Sequence, residues 1–309
     1  MSGHIPVMLA EVLEALAVRP GGTYVDATFG AGGYSTGILE KNASVIAFDR
    51  DPTVAATAQQ LKARFPASFA WHAVPFGRMA DFLTPASCDG AAFDLGVSSM
   101  QLDTPERGFS FRFDAPLDMR MSRQGATAAD LVNGMREAEL ATIIRDYGEE
   151  RCARRIAKAI CHRRNEQPIA TTGALAEVVR QVVPRSKDGI DPATRTFQAL
   201  RIAVNDELGE LERGLDAAAT VLKPGGRLAV VSFHSLEDGL VKRRLDAQAH
   251  TITSRLLPGE IPPAAPLWRW VAKKPLVASD GEVSSNPRSR SARLRVAERL
   301  SFPSTSTLH

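Results

Sequence analysis

Asp26-Ala27-Thr28-Phe29-Gly30-Ala31-Gly32-Gly33 decides the fold. The run Thr23-Tyr24-Val25-Asp26-Ala27 leads into it after Pro20-Gly21-Gly22, and helix-like sequence follows. A strand that ends on an acid and turns through glycines into a helix lets the backbone approach a ligand closely, because glycine carries no Cβ and accepts either sign of φ. The next acid at a strand end is Asp49, in Phe48-Asp49-Arg50-Asp51. Nucleotide-binding folds place a carboxylate on the ribose hydroxyls at about this interval, and a carboxylate can accept both protons of a diol. The alternative is a plain tight turn with surface acids.

On either side of this turn, strand and helix patterns alternate. Ala43 to Phe48 is a second buried strand. Asp51 can cap a helix that Pro52 opens, with Val54, Ala58 and Leu61 as its apolar stripe. Phe69 to Val74 and Gly90 to Leu95 supply the third and fourth strands. Such alternation predicts βαβ units and a parallel sheet. From Asp103 to about Asp191 no strand pattern occurs, while 137–164 and Ala174 to Val183 read as helical, so a helical insertion is expected. Phe197, Leu200, Val204, Leu208, Leu211, Leu215, Ala218 and Leu222 then recur at spacings of three and four. That stripe fits one long helix, or two end to end, stopped by Lys223-Pro224-Gly225-Gly226. Arg227 to Phe233 is a fifth strand. Ala292, Leu294 and Val296 alternate with Arg293 and Arg295, which predicts a strand with one wet face. Pro258 to Pro266 reads as loop.

The 309 residues allow one large core or two modest ones. Hydrophobic residues at 44% and charged residues at 24% exclude disorder or coiled coil as a reading of the whole chain. A net charge of +3 does not by itself demand nucleic acid, so the placement of charge decides. Cys88, Cys152 and Cys161 stand far apart, which argues against a disulfide framework or zinc site and for a reducing compartment. The first residues lack a signal-peptide layout and no apolar run approaches ~18 residues. A cytoplasmic protein with no membrane partner is expected.

The chemistry-bearing motifs favour one ligand over another. A G-x-G-x-x-G dinucleotide turn needs glycine at position 35, where Ser35 stands. Pyrophosphate wants bare amides, whereas S-adenosylmethionine carries no phosphate and its cationic sulfonium and ammonium favour nearby acids. Asp26, and Asp94 in Phe93-Asp94-Leu95-Gly96-Val97, suit the second ligand. Asp94 and Phe76 both fall at the carboxyl edge of the strands, where open α/β sheets bind ligands; Phe76 either stacks on an adenine or fills core. Glu106 to Phe111 and Pro116 to Met121 mix arginine, aromatics and acid in a loop that either contacts a splayed RNA base or braces the insertion. Arg151, Arg154, Arg155, Lys158, Arg163 and Arg164 crowd one helical segment, and Arg288, Arg290, Arg293, Arg295 and Arg299 crowd the C-terminus. Phosphate contacts or solvated faces account for either group. Ser232 to Asp238 holds serine, histidine and acid without a nucleophile elbow, and six scattered histidines form no metal pattern.

Longer motifs carry a resemblance. Asp94 to Asp103 (DLGVSSMQLD), Glu106 to Phe111 (ERGFSF), Asp118 to Met121 (DMRM), Tyr147 to Arg151 (YGEER), Pro192 to Arg201 (PATRTFQALR), Ser232 to Asp238 (SFHSLED) and Asn286 to Ser291 (NPRSRS) occur in order, between His4-Ile5-Pro6-Val7 and Arg295 to Arg299. In these motifs the chain resembles the ribosomal RNA small subunit methyltransferase H family over nearly its whole length. The resemblance implies an α/β fold: a class I, Rossmann-like methyltransferase sheet over 1–103 and 192–300 and an inserted all-helical substrate-recognition domain over 104–191; residues 301–309 read from their own sequence as a flexible tail. It implies S-adenosyl-L-methionine as cofactor, and as substrate the exocyclic N4 of a cytidine in the decoding region of 16S ribosomal RNA within the small subunit. Gly32, Gly33, Tyr34, Asp49, Phe76, Asp94 and Gln101 are the implied cofactor contacts. Tyr34 stands where the family commonly has histidine, and Met100 where it has proline. The Asn/Asp-Pro-Pro-aromatic motif of many amino-methyltransferases is replaced here by Asp94-Leu95-Gly96-Val97, which leaves Asp94 and Asp118 as candidate acceptors for the amino group. Arg151, Arg154, Arg155 and Lys158 are the expected RNA contacts. Homodimerisation stays open, as do two competing functions: a NAD-dependent oxidoreductase, which Ser35 disfavours, and a non-catalytic RNA-binding assembly factor.

Overall fold

The computed structural model describes residues 6–184, 189–249 and 266–301. They form two compact units, one from the described residues of 1–96 and 208–309, the other from Val97–Glu207. Over the first stretch the elements are α1 (Leu9–Ala15), β1 (Thr23–Asp26), α2 (Gly33–Leu39), β2 (Ser44–Phe48), α3 (Ala55–Arg64), β3 (Phe69–His72) and β4 (Cys88–Asp94). The second unit carries α4 (Ser99–Leu102), α5 (Ala128–Gly134), α6 (Glu137–Gly148), α7 (Ala153–Glu166), α8 (Thr172–Val182) and α9 (Thr194–Asn205). The chain then runs through α10 (Glu207–Val221), β5 (Leu222–Ser232), α11 (Ser235–Ala249), β6 (Trp268–Trp270), β7 (Leu276–Val277), α12 (Asp280–Ser285) and β8 (Arg293–Arg299). No helix among the described residues is long and apolar enough to cross a membrane.

The first unit is built on a sheet of order β3-β2-β1-β4-β5-β8-β6, with β7 also paired to β8. The five strands from β3 to β5 run parallel, and β8 returns antiparallel to β5. The register sets Asp26 beside Ala47 and Ala92. The carboxyl ends of β1, β2 and β4 therefore share one edge, and β1 lies between β2 and β4, where the strand order reverses. That is where such sheets bind ligands. Beneath it, Val25, Phe48, Ala91, Phe93 and Val230 pack against Leu211, Leu215 and Ala218 of α10 and Leu240 and Val241 of α11.

The apolar stripe after Phe197 is two helices end to end. Asp206 adopts φ 48° and breaks it. Phe197 and Leu200 join the core of the helical unit, together with Leu140, Ile144, Ile156, Ile160, Leu175 and Val179. The stripe's later residues join the sheet's core instead. This division gives the helical unit Val97–Glu207 rather than 104–191. Its described residues form no strand beyond an isolated bridge between Pro116 and Thr171. The basic segment 137–164 likewise divides, at Glu149 with φ 50°.

Two expectations are corrected. Lys223-Pro224-Gly225-Gly226 interrupts a strand rather than preceding one: Cys88 pairs with Leu222, the ladder resumes at Gly90 with Arg227, and the turn bulges out between, Gly225 at φ 81°. The arginine face of β8 is wet only at its start: Arg293 is exposed, but Arg295 and Arg299 are not. Arg295 is 8% exposed and makes two hydrogen bonds, of 2.6 and 3.0 Å, to the Asp238 carboxylate. The buried Arg299 donates to the Ala219 carbonyl at 3.0 Å. A buried arginine is tolerated only when paired, and these two pair inside the fold, so they are not phosphate contacts. His4-Ile5, the stretch 258–265 and residues 302–309 lie outside the described residues.

Candidate active site

The glycine turn is fastened from beneath by Asp26. Its buried carboxylate accepts from the Ser35 N–H at 3.1 Å and hydroxyl at 2.7 Å, and from the Thr28 N–H at 3.3 Å. Ser35, the residue that spoils a dinucleotide pattern, thus ties the first turn of α2 to the end of β1. Burial pushes the Asp26 carboxyl up despite these bonds. Gly32 adopts φ 76°, and a Cβ there would lie 3.0 Å from the Phe29 ring. At Gly33 the demand is space: a Cβ would sit 2.2 Å from Pro6 Cγ. The segment before α1 therefore lies directly on this turn. Tyr34 secures it by donating its hydroxyl to the Val7 carbonyl at 2.6 Å, and Glu282 of α12 accepts from the Met8 N–H at 2.7 Å. With its phenol so engaged, Tyr34 has its backbone to offer a ligand. Burial, and then the charges of Asp94, Asp26 and Glu282, raise that phenol well above its ordinary range.

Asp49 closes the turn from β2. One carboxylate oxygen accepts from the Gly30 N–H and the other from the Asp51 N–H, each at 2.8 Å. Both oxygens keep a lone pair for a further donor. Burial raises this carboxyl to about 6 against the pull of those two amides, so it is mainly ionised at neutral pH. After β3, Phe76 stands edge-on to Phe93 with centroids 5.2 Å apart. It packs so closely over Gly214 that a Cβ there would meet its ring at 2.4 Å. One side of this half-buried ring thus belongs to the core, and the Gly77 N–H, held by Glu210 at 2.7 Å, fixes its backbone.

Asp94, the last residue of β4, donates its N–H to the Thr28 hydroxyl at 2.7 Å. One of its carboxylate oxygens is buried without a hydrogen-bond partner. Burial, and then the charges of Asp26 and Glu237, push this carboxyl up to about 8. Glu237 is itself buried and accepts from the Phe233 N–H at 2.8 Å. A buried acid with neither counter-ion nor donor costs stability. At about 8 this carboxyl is mainly protonated at neutral pH; a cation beside it would favour the ionised form and supply the missing partner, and the sulfonium and ammonium of S-adenosylmethionine fit that demand.

The remaining sequence candidates fall elsewhere. Gln101 lies in the helical unit, where its side chain accepts from the Ser98 N–H at 2.9 Å and closes the capping box of α4. Asp118, also in that unit, is gripped by Arg120 through bonds of 2.9 and 2.7 Å. Burial opposes ionisation there, but the Arg120 hydrogen bonds and charge prevail and hold the carboxyl low. The rings of Phe109 and Phe111 in ERGFSF turn inward, Phe111 packing edge-on to Phe197 at 4.8 Å. Arg154, Arg155 and Lys158 on α7, and Arg151 in the turn before it, are all exposed, and no acid among the described residues pairs with them. Arg163 and Arg164 are engaged by Gln167 and by the Val132 carbonyl. Thr28, Glu237 and the Pro6–Met8 segment escaped the sequence reading. Thr28 sat in plain view inside the glycine turn, but its bond crosses to a strand 66 residues away.

A mostly parallel sheet whose order reverses between β1 and β4, with a glycine turn after β1 and acids at the carboxyl ends of β1, β2 and β4, is the frame of an S-adenosylmethionine-dependent methyltransferase. The model of the MraW methylase family matches residues 1–300, and the chain belongs to that family. It is 56% identical to the ribosomal RNA small subunit methyltransferase H of Rhodospirillum centenum, over 97% of this chain and 93% of that protein. It is 54% identical to the protein of that name from Paramagnetospirillum magneticum, over 99% and 98%. For the one from Caulobacter vibrioides the identity is 53%, over 97% and 96%.

Proposed function

We propose that this protein methylates small-subunit ribosomal RNA, and that the acceptor is the exocyclic N4 of a cytidine in the decoding region of 16S RNA. The observation that carries the reading is the unpartnered carboxylate oxygen of Asp94 at the switch point of the sheet. The names of the relatives support the RNA, and the resemblance of the motifs supports the cytidine. When bound, S-adenosylmethionine supplies an already activated methyl group. The chain's task is then chiefly positioning, the proximity contribution to rate. Asp49 accepts from the ribose hydroxyls, Phe76 flanks the adenine, Asp94 holds the cationic end, and the backbone at Gly32, Gly33 and Tyr34 borders the ligand. Gln101 joins this set on resemblance alone. Of the two carboxylates considered for drawing on the N4 hydrogens, Asp118 is committed to Arg120, and Asp94 keeps an open oxygen. The test is transfer of labelled methyl to small ribosomal subunits lacking the modification, followed by mapping of the modified nucleotide. Label on another base, or on protein alone, overturns the proposal.

The helical unit is assigned to the RNA. The exposed Arg154, Arg155 and Lys158 of α7, with Arg151 in the turn before it, form one cationic surface, suited to phosphates. Replacing Arg154, Arg155 and Lys158 together with alanine is expected to weaken RNA binding and flatten its salt dependence, by about one unit of log–log slope per lost contact. Affinity for S-adenosylmethionine should not move. A slope equal to that of the wild type returns this helix to an ordinary solvated face.

A further inference from the structure

Phe109, Phe111 and Phe113 alternate along one loop of the helical unit, and the fold treats them differently. Phe109 is 7% exposed and Phe113 is 64% exposed. Phe111 is pinned between Phe197 and the Arg180 guanidinium, which sits 5.6 Å from its ring centre. The outward position of Phe113 is not looseness of the loop. Its carbonyl accepts from the Thr172 hydroxyl at 2.9 Å, and the Ala115 N–H donates to the same hydroxyl at 3.1 Å. Asp114 accepts from the Gly173 N–H at 2.9 Å, and the Thr172 N–H donates to the Ala115 carbonyl at 2.8 Å. Four hydrogen bonds to the start of α8 thus anchor residues 113–115, at and just after a ring left in water. Arg112, next to it, is exposed, and no acid among the described residues pairs with it.

An isolated exposed apolar side chain is by itself ordinary. A rigidly mounted aromatic beside an unpaired arginine matches what single-stranded RNA requires, a flat apolar face for a base and a cation for the neighbouring phosphate. We propose that Phe113 is a stacking platform for an unpaired base of the RNA substrate, with Arg112 taking the adjoining phosphate. The inference rests on the reading of the substrate as RNA and adds a contact that the basic face of α7 does not supply, because phosphates position a strand while a stacked base selects for its being single.

Full-length protein carrying Phe113→Trp, titrated with a mixed-sequence single-stranded oligoribonucleotide and separately with the corresponding duplex, reads stacking directly. Indole emission, corrected for the wild-type tryptophans, should be quenched by the single strand and not by the duplex. Phe113→Leu keeps an apolar side chain and loses the ring; it should bind the single strand about tenfold more weakly with S-adenosylmethionine affinity unchanged. Equal quenching by both RNAs, or wild-type affinity in Phe113→Leu, overturns the proposal. A wild-type protein that shows this dependence on Phe113 yet methylates no small-subunit RNA would refute the proposed function and uphold the platform. Methyl transfer to the mapped cytidine by a Phe113→Leu variant of unaltered affinity would do the opposite.

Discussion

Asp49→Ala should weaken S-adenosylmethionine binding by about 100-fold or more. Two hydrogen bonds from ribose hydroxyls to a charged acceptor would go, each contributing about 1.5–3 kcal/mol, and ~1.4 kcal/mol is a factor of ten. Alanine also frees the Gly30 and Asp51 amides that the carboxylate now holds, so the loss includes some loosening of the turn. Asp49→Asn separates the two contributions. It retains one carbonyl oxygen and should lose roughly the share of one bond. Because burial sets the Asp49 carboxyl at about 6, wild-type affinity should also decline as pH drops below 6, and the alanine variant should lack that inflection. Calorimetry is the measurement, and equal affinity in wild type and Asp49→Ala removes Asp49 from the ribose.

Asp94→Asn should separate affinity from stability in opposite directions. The Asp94 carboxyl lies at about 8, against an ordinary 3.8. A carboxyl raised on folding binds its proton more tightly in the native state, so its contribution favours folding at low pH and is lost as pH climbs from about 4 to about 8. Asparagine removes that loss, and the ligand-free variant should melt higher than wild type at pH 8, by about 2–4 °C per kcal/mol relieved. S-adenosylmethionine needs the anion. Its binding to the wild type should therefore strengthen as pH rises towards 8 and release a proton below it, which calorimetry in buffers of different ionisation enthalpy will register. In Asp94→Asn the affinity should fall by about 10–100-fold, through loss of one charge-assisted contact, and the proton release should vanish. Methylation at saturating donor should largely recover, as expected of a residue that holds the ligand rather than one needed only in the transition state. A maximal rate that stays low would instead place Asp94 on the N4 amino group, and normal affinity with a normal rate would remove it from both roles.

What was legible in the chain was whatever a local pattern encodes. Acids closing apolar runs marked the sheet edge at Asp26, Asp49 and Asp94, since strand ends and glycine turns are matters of adjacent residues. What escaped depends on partners far off in sequence. Arg295 alternates with apolar neighbours and reads as solvent-facing; only Asp238, 57 residues earlier, makes it buried. ERGFSF announces a loop rich in rings, but that Phe111 turns inward depends on Phe197, and the outward mounting of Phe113 just after the motif depends on Thr172, both distant. Nor does the stripe after Phe197 reveal that a left-handed Asp206 hands its two halves to different cores. The discomfort of Asp94 is invisible at this level, because it arises from what surrounds the carboxylate after folding.

The position of β8 between β5 and β6 also governs how the protein is made. The strands β1 to β4 emerge from the ribosome early, while β4 waits for β5, and β5 for a strand that ends at Arg299. At ~5–20 residues per second, that interval is on the order of tens of seconds, during which the apolar flank of Ala91, Ala92 and Phe93 has no permanent neighbour. The helical unit is contiguous and can fold meanwhile. Non-local pairing of this kind is slow and exposes unpaired edges. The nascent chain therefore stays aggregation-prone until β8 has emerged, and any truncation ahead of Arg293 would make that transient vulnerability permanent.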